Sequence, residues 1–429
     1  MERKTRSVCP VCLRNLPARL VEAPDGSVTL EKTCPEHGAF RVPVWRGLLD
    51  FSAWSAGSEP LAGDGGARCP DNCGLCAEHE SASCCVLLEV TRRCNLHCRY
   101  CFAEGGAAAA DPPLEELKAA VRDVAARCGG VLLQLSGGEP TLRDDLPELV
   151  RCAKEAGCGC VQINTNGLRL AREPEYAKRL SEAGLDIVFL QFDGTRDEIF
   201  SRLRGAPLLE TKLRAVRVCS DLGVGVTLVP TVVRGVNDGD LGALVALAAS
   251  LAPGVRGVHF QPVSYFGRYP GQVPPEARIP LDELLSELQR QAGIPAGAFA
   301  PSRCDHPLCG FHASFLIEPD GALRPLSAAR QSAGRSSARE NRDYVVRRWT
   351  RHAPETKPAA DGDGFDAFLY RVRNESLTLS AMAFQDAMNL NVERLRRCSL
   401  HVYDRGRIVP FCAHYLSAMP SAARGGEDT

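Results

Sequence analysis

The sequence predicts an α/β fold in which a parallel sheet is built from strands that alternate with helices. From about residue 86, short apolar segments of strand length alternate with longer segments whose apolar residues recur at three- and four-residue spacing. Polar motifs follow several of these strands. Such repeated units form either an open doubly wound sheet or a partial barrel, and loops that gather at the strands' carboxyl ends favour the barrel.

Six strands and the helices between them carry this prediction. The strands are expected at 86–90, 131–135, 161–164, 187–192, 224–229 and 258–261. Amphipathic helices are expected, among others, at 114–126, 144–155 and 240–249.

Composition narrows the class of protein. A chain of 429 residues exceeds a typical single domain, which favours one large catalytic domain with smaller attachments. The formal charge of -1, with acids and bases interleaved, predicts no nucleic-acid partner. No apolar run approaches the roughly 18 residues of a spanning helix, and no apolar signal segment opens the chain. We therefore expect no membrane span and a cytoplasmic location.

The 20 cysteines indicate metal binding, because a reducing compartment disfavours structural disulfides. Most of them cluster along the chain. Those outside the clusters are expected to be small buried thiols, although the role of Cys85 stays open: Cys85, Cys128, Cys152, Cys158, Cys160 and Cys219.

The N-terminal segment is predicted to be a small metal-binding knuckle. Cys9 and Cys12 form one ligand turn, Cys34 and His37 a second, and the turn at 24–26 joins two strands between them. Four ligands in a segment too small for its own core favour one zinc or a rubredoxin-like iron. His37 is the least specific member, since a lone histidine after a cysteine is often a surface residue. Residues 52–67, rich in Gly, Ala and Ser, are expected to be a linker.

The most informative motif directly follows the first predicted strand. Cys94, Cys98 and Cys101 lie on one loop and can ligate three irons of a 4Fe-4S cluster, which leaves the fourth iron open for a ligand. The same spacing also fits an electron-transfer ferredoxin, so a second motif is needed.

That second motif, Ser-Gly-Gly-Glu-Pro at 136–140, follows the second strand. Gly137 and Gly138 allow a close backbone approach to a ligand, and the carboxylate of Glu139 can receive an ammonium group. Polar residues also follow the third and fourth strands, where we expect contacts with a cofactor or substrate, although a turn at Gly167 is an alternative for the first pair: Asn164, Asn166, Gln191 and Asp193.

These motifs resemble the radical SAM superfamily, which acts on S-adenosylmethionine (SAM). The resemblance is to the branch that includes archaeal tetraether lipid synthase and, ranked first, the bacterial TrsS-type radical SAM (seleno)proteins. It runs from the N-terminal knuckle almost to the C-terminus and is carried by the motifs at 34–38, 73–76, 88–96, 190–194, 229–237, 260–263, 381–390 and 410–412.

The resemblance implies a partial (β/α)6 TIM-like radical SAM barrel, a SAM-binding 4Fe-4S cluster at Cys94, Cys98 and Cys101, one or two auxiliary 4Fe-4S clusters and an N-terminal mononuclear metal. It also implies reductive cleavage of SAM to a 5′-deoxyadenosyl radical, hydrogen abstraction from an unactivated carbon, and an external electron donor of the flavodoxin or ferredoxin class. The expected cofactor contacts are Tyr100, Phe102, Gly137, Gly138, Glu139, Asn164, Asn166, Gln191 and Asp193.

Two further cysteine sets match this implication by count. The first set precedes the barrel and could ligate a 4Fe-4S cluster, or alternatively a zinc ion. It consists of Cys69, Cys73, Cys76 and Cys84. The second would fold the C-terminal segment back over the open barrel, and its alternative is two pairs of unrelated thiols: Cys304, Cys309, Cys398 and Cys412. The predicted domains are a knuckle at 1–50, a linker with the first auxiliary segment at 51–85, the barrel at 86–295, a C-terminal auxiliary-cluster region at 296–419 and a disordered tail at 420–429.

The substrate stays open between a hydrophobic chain and a small molecule or cofactor precursor. Relatedness to tetraether synthase suggests carbon-carbon bond formation, but fold analogy does not fix a substrate. The segment 323–360 is rich in Arg, Ser and Ala and does not resemble a lipid-lined tunnel. Two other classes of protein are kept as alternatives: an iron-sulfur electron-transfer protein without SAM chemistry, and a zinc-stapled interaction scaffold.

Overall fold

The computed structural model describes residues 2–56, 69–70, 73–106, 110–271, 273–326, 336–351 and 364–419. The predicted tail at 420–429 and most of the predicted linker lie outside these residues. The strands are β1 (Glu2–Val8), β2 (Asn15–Glu22), β3 (Val28–Cys34), β4 (Gly38–Trp45), β5 (Cys85–Thr91), β6 (Leu132–Gly137), β7 (Cys160–Thr165), β8 (Ile187–Gln191), β9 (Gly225–Val229), β10 (Thr231–Val232), β11 (Val255–Pro262), β12 (Ala300–Pro301), β13 (Gly310–Ile317), β14 (Leu323–Pro325), β15 (Ser376–Met382), β16 (Leu400–Asp404) and β17 (Arg407–Pro410).

The helices lie mostly between the strands of the larger sheet. They are α1 (Phe51–Trp54), α2 (Leu114–Cys128), α3 (Leu146–Glu155), α4 (Leu168–Arg172), α5 (Pro174–Glu182), α6 (Asp197–Arg204), α7 (Leu209–Asp221), α8 (Leu241–Ser250), α9 (Leu281–Ala292), α10 (Ala338–Trp349), α11 (Gly364–Asn374), α12 (Val392–Arg396) and α13 (Phe411–His414). Within the described ranges, no helix has the length and apolar character that crossing a membrane requires.

The N-terminal strands form a small antiparallel sheet in the order β1-β2-β3-β4. The predicted turn joins β2 to β3, and Gly26 within it has a φ of +79°, a conformation that glycine adopts without steric cost. The hairpin that the sequence predicted is therefore confirmed.

The larger sheet contains all six predicted strands, as β5 to β9 and β11. Its order is β12-β13-β15-β11-β9-β8-β7-β6-β5-β16-β17, and the pairs from β16 through β5 to β15 are parallel. Its two ends are not paired with each other among the described residues, so the partial barrel is confirmed. The parallel part is longer than predicted, because the C-terminal region adds β15 at one end and β16 at the other.

The two faces of this sheet differ in character because successive side chains of a strand point to opposite faces. One set of alternate residues, such as Val86, Leu88 and Val90 of β5, belongs to the main hydrophobic core. The other set faces the interior and includes Gln134 of β6 and Gln162 of β7. The barrel interior thus carries amide side chains within a mostly apolar wall.

The chain crosses from β15 to β16 through residues 383–399, and the N-terminal sheet docks on this crossover. Lys32 Nζ donates to Ser7 Oγ at 2.9 Å and to the carbonyls of Ala387 and Met388 at 2.7 and 2.8 Å. Arg3 and Glu393 form an ion pair at 2.6 Å beside them. These contacts fix the metal-binding knuckle to the segment that covers the open side of the barrel.

Candidate active site

The predicted N-terminal ligands lie together in the structure. Cys9, Cys12, Cys34 and His37 each offer a ligand atom, and these atoms lie within 4.8 Å of one another. The Cys12 and Cys34 sulfurs are 3.9 Å apart, and His37 Nδ1 is 3.4 Å from Cys34 Sγ. Tetrahedral zinc with sulfur ligands at about 2.3 Å requires sulfurs about 3.8 Å apart. The four donors therefore fit one metal ion.

The loop with the cysteine triad lies at the carboxyl end of β5 and is pinned by backbone contacts. The Cys94 N–H donates to Gly106 O at 3.1 Å, and Cys101 and Arg268 exchange two backbone hydrogen bonds of 2.9 Å. The Arg268 side chain also donates to Cys98 O at 2.9 Å. All three cysteines line one cavity, and burial raises the pKa of Cys94 to about 11.

The two glycines of the second motif let β6 approach the backbone of that loop. A Cβ on Gly137 would lie 2.1 Å from Thr91 O, and one on Gly138 would lie 2.2 Å from Arg93 O. Gly138 N and Glu139 N donate to the same two carbonyls at 2.8 and 2.7 Å. Any larger residue would push the loop away, so these glycines position the cysteine triad.

Glu139 is buried and joins the ends of β6 and β7. Its Oε1 accepts from Thr141 N, Thr141 Oγ1 and Thr165 Oγ1, and its Oε2 accepts from Asn166 N at 2.7 Å. The carboxylate also lines the cavity. It therefore has a structural role beside the ligand contact that the sequence predicted.

The other predicted contact residues lie at the same end of the barrel. Asn166 Nδ2 donates to Asn95 Oδ1 within the triad loop at 2.8 Å, and Gln191 Nε2 lies 3.9 Å from Cys98 Sγ. Asn164 lies deeper, where its Oδ1 accepts from Gln134 Nε2 at 2.6 Å and from Gln162 Nε2 at 3.2 Å.

Asp193 forms a buried ion pair with Arg204, which the sequence did not single out. Arg204 donates to both carboxylate oxygens at 2.6 Å, and both side chains are at most 3% exposed. Burial acts to lower the pKa of Arg204, but the Asp193 charge outweighs it and the pKa is raised. Arg204 lines the cavity, whereas Asp193 lies behind it and also accepts from the N–H of Thr231, another lining residue, at 3.1 Å.

Lys212 is a second buried cation that the sequence analysis missed. Its Nζ donates to Asn166 O at 2.5 Å and to Gln191 Oε1 at 3.3 Å, and burial lowers its pKa to about 8. The available sequence signal was its place on the buried stripe of α7, shared with Ala215, Val216 and Cys219. A lysine at such a buried position needs hydrogen-bond acceptors. Here they come from Asn166, just after β7, and from Gln191, the last residue of β8.

The cavity runs from the cysteine triad into the barrel interior and has a volume of about 270 Å³. Tyr100 and Phe102, both predicted cofactor contacts, line it near the triad. Trp349 of α10 lines its deeper part, with ring centroids 5.3 Å from Phe189 and 5.7 Å from His259. Burial lowers the pKa of His259 to about 3, so this ring is neutral.

The remaining cysteines fall into three groups. Cys69 and Cys73 are hydrogen-bonded, with Cys76 nearby, while Cys309, Cys398 and Cys412 line one small cavity. Cys84 and Cys304 lie side by side. One thiol of each predicted auxiliary set therefore lies beside a thiol of the other. The reason is that Cys84 N donates to Ser399 O while Asp305 accepts from Ser399 N, which joins the two segments.

The isolated cysteines divide as follows. Four of them are buried in the described structure: Cys152, Cys158, Cys160 and Cys219. Cys128 is half-buried, and Cys85 lines the cavity, where its Sγ donates to Gln134 Oε1 at 3.4 Å.

Comparisons with known proteins agree with this geometry. A model described as the Radical SAM superfamily matches residues 88–248, and one described as the HMPTM N-terminal zinc ribbon domain matches residues 1–46. The 7,8-dihydro-6-hydroxymethylpterin dimethyltransferase of Methanocaldococcus jannaschii is 31% identical over 96% of this chain and 93% of its own length.

Two other relatives match a smaller part of this chain. The Fe-coproporphyrin III synthase of Methanosarcina barkeri is 40% identical over 33% of this chain and 35% of its own length. A probable GTP 3′,8-cyclase of Thermococcus kodakarensis is 35% identical over 38% of this chain and 52% of its own length. This chain thus spans about a third and about half of the length of these two proteins.

Proposed function

The chain belongs to the radical SAM superfamily, in the family of the dihydropterin dimethyltransferase, and on that premise we propose that it adds a methyl group to a carbon of a small pterin-like heterocycle. Radical SAM chemistry follows from the family, so this chain is an enzyme. The substrate class is the new element. Its main support is the full-length likeness to a pterin methyltransferase, together with the amide side chains in the cavity wall.

The cysteine triad fits the 4Fe-4S cluster that the superfamily implies. Cys94, Cys98 and Cys101 line one cavity from one loop, and N–H donors of Leu96 and Gln191 point to the sulfurs of Cys94 and Cys98. Such donors stabilise the negative charge of ligating sulfur. When bound, the cluster supplies the electron that cleaves SAM to a 5′-deoxyadenosyl radical.

The chain's own residues position SAM and exclude water in this proposal. Gly137 and Gly138 hold the triad loop against β6, and Glu139 fixes Asn166 beside that loop. The rings of Tyr100 and Phe102 give apolar surface for the adenine, as the resemblance implied. Arg204 brings N–H donors to the mouth of the cavity. Because Asp193 balances its positive charge, it adds no unpaired charge there.

The interior favours a heterocycle over a hydrophobic chain. Gln134 and Gln162 line the cavity, and their side-chain oxygens have at most a weak thiol donor among the described residues, so hydrocarbon packed here would leave them without a better partner. A small molecule with ring nitrogens can satisfy them. The methyl addition would form a carbon-carbon bond, as the resemblance also implied.

The further metal sites belong to the proposal too. The knuckle is proposed to hold one zinc or iron, and one or two auxiliary 4Fe-4S clusters are proposed at the two remaining cysteine sets. The closeness of Cys309, Cys398 and Cys412 supports the C-terminal set. We also propose that the electron donor is a protein of the flavodoxin or ferredoxin class and that the enzyme is cytoplasmic.

The test is an anaerobic assay with dithionite, 7,8-dihydro-6-hydroxymethylpterin and excess SAM, of which one molecule is the radical source and a second is the proposed methyl donor, leaving as S-adenosylhomocysteine. Dithionite supplies one electron for each of the two steps. We expect 5′-deoxyadenosine and a pterin product that is heavier by one or two methyl groups. Cys98→Ala should abolish both products, whereas Cys128→Ala, outside every cysteine set, should abolish neither. If wild-type protein forms 5′-deoxyadenosine but never methylates the pterin, the proposed substrate is wrong.

A further inference from the structure

We propose that the side-chain amides of Gln134, Gln162 and Asn164 recognise the N–H donor edge of the substrate. The edge in question is that of an aminopyrimidinone ring, in which an amino group lies beside a ring N–H. Pterins and guanine share this edge. The inference rests on the proposed function, which assigns a small heterocycle to the same cavity, and it adds which residues bind which part of that molecule.

The three amides form one hydrogen-bonded group on neighbouring strands. Gln134 and Gln162 are paired positions of β6 and β7, and both side chains line the cavity. Both Nε2 groups donate to Asn164 Oδ1, at 2.6 and 3.2 Å, while Asn164 Nδ2 lies 3.4 Å from Ser136 Oγ. Because both glutamine nitrogens are engaged in this way, the two glutamine oxygens are left to meet other partners.

The oxygen of Gln162 is the decisive atom. Gln162 is only 2% exposed, yet its Oε1 accepts no hydrogen bond from the described residues. A buried acceptor without a donor costs roughly 1–3 kcal/mol, and few are left in native structures. Gln134 Oε1 next to it accepts from the weak S–H donor of Cys85 at 3.4 Å. Two neighbouring side chains that line the cavity therefore carry acceptors that the protein satisfies poorly.

The surroundings favour an uncharged, flat ligand at these acceptors. Burial lowers the pKa of His259 to about 3, so this ring is neutral. Phe189, His259 and Trp349 present three ring systems with centroids between 5.2 and 5.7 Å apart. A planar ring with adjacent N–H donors matches this wall, whereas a carbonyl at the same edge would be repelled by both glutamine oxygens.

The test measures binding by anaerobic equilibrium dialysis on the metal-loaded full chain, with SAM present and no reductant. The probes are 7,8-dihydro-6-hydroxymethylpterin, its analogue with a carbonyl in place of the amino group, and GTP. We expect wild-type protein to prefer the amino compound by about tenfold or more, as for one buried hydrogen bond to a neutral acceptor. Gln162→Met should weaken binding of the amino compound roughly tenfold and remove this preference.

Two further variants separate recognition from folding. Gln162→Asn keeps an uncharged amide and should retain part of the preference, and Gln289→Met, at an exposed position of α9, should bind as wild type does. Equal binding of the amino and carbonyl compounds by wild-type protein would overturn the inference without any variant. Unchanged affinity in a folded Gln162→Met protein would overturn it as well.

The probes also separate this inference from the proposed function. If GTP binds more tightly than the pterin and depends equally on Gln162, the edge recognition is supported while the pterin assignment is overturned. If the pterin binds and is methylated but Gln162→Met has no effect, the proposed function stands and the inference fails. If neither probe binds, both are overturned.

Discussion

Phe102 and Phe411 pack against each other with ring centroids 5.5 Å apart, and each is the chain neighbour of a cysteine. Phe102 follows Cys101 of the loop with the cysteine triad, and Phe411 precedes Cys412 of the C-terminal set. Tyr415 extends the contact, with its ring 4.9 Å from Phe102. The C-terminal segment is thus a direct packing partner of the loop that is proposed to hold the SAM cluster.

Phe411→Ala should destabilise the protein strongly. The ring is 4% exposed and contacts several other aromatic rings, so its removal leaves a cavity, and we expect a loss of about 3–5 kcal/mol in the free energy of unfolding. Phe365→Ala is the matched control, since Phe365 is 62% exposed, and should cost less than about 1 kcal/mol. Denaturant unfolding of equally metal-loaded samples measures both, and similar values would contradict the packing role.

Asp193→Asn should also destabilise the protein, because it leaves the buried charge of Arg204 without its partner. Breaking a buried ion pair in this way costs about 3–5 kcal/mol. Glu210→Gln, which breaks an exposed pair with Arg217, should cost at most about 1 kcal/mol. The same unfolding measurement applies. A loss for Asp193→Asn no larger than that of the exposed control would show that Arg204 finds another partner.

Glu139→Gln should weaken both folding and SAM binding. The amide keeps one acceptor oxygen, which can serve Thr141 and Thr165, but its NH2 group cannot accept from Asn166 N, and one buried donor left unpaired costs about 1–3 kcal/mol. Dialysis with SAM and thermal unfolding measure the two effects separately. Glu148→Gln, half-exposed on α3, is the control. Full SAM affinity in a destabilised variant would leave Glu139 with its structural role alone.

Much of the fold could be predicted because it rests on local sequence patterns. The six central strands are short apolar segments, and the motifs at Cys94 and Glu139 follow their strands directly, so placement at the barrel mouth followed from the fold. Strands β15 and β16 were missed because neither belongs to the regular run of βα units: β15 follows α11, and β16 follows residues 383–399, which contain only the short helix α12. Their pairing at opposite ends of the parallel part of the sheet depends on contacts distant in sequence.

Side-chain partners were harder to predict than positions. Asp193 was expected at the mouth of the barrel, but its pairing with Arg204 depends on how α6 packs, which spacing does not encode. Cys84 and Cys304 likewise lie side by side because the segments that carry them both hydrogen-bond to Ser399, which is distant from them in sequence. The resemblance to TrsS-type proteins remains a prediction.

Cys9→Ser should remove the metal of the N-terminal knuckle and leave the iron of the barrel. Its sulfur is 3.6 Å from His37 Nδ1, and a weaker ligand at one of four positions loosens a structural metal. Elemental analysis of anaerobically purified protein measures this, with Cys128→Ser as the control. We expect the zinc content, or the iron content if the knuckle holds iron, to fall by about one ion per chain. A larger loss of iron would show that the knuckle also supports the clusters.

His259→Asn should change how stability depends on pH. Burial lowers the pKa of His259 from 6.5 to about 3, so between these values the unfolded state binds more protons than the folded state. The free energy of unfolding therefore falls as the pH falls, by about 1.4 kcal/mol per pH unit for this one group. Asparagine does not titrate, so the variant should lack this part of the slope between about pH 6 and pH 4. Above pH 7 the difference between variant and wild type should be constant. Urea unfolding at a series of pH values measures the slopes, and parallel curves throughout would show that His259 takes up its proton without opening the cavity wall.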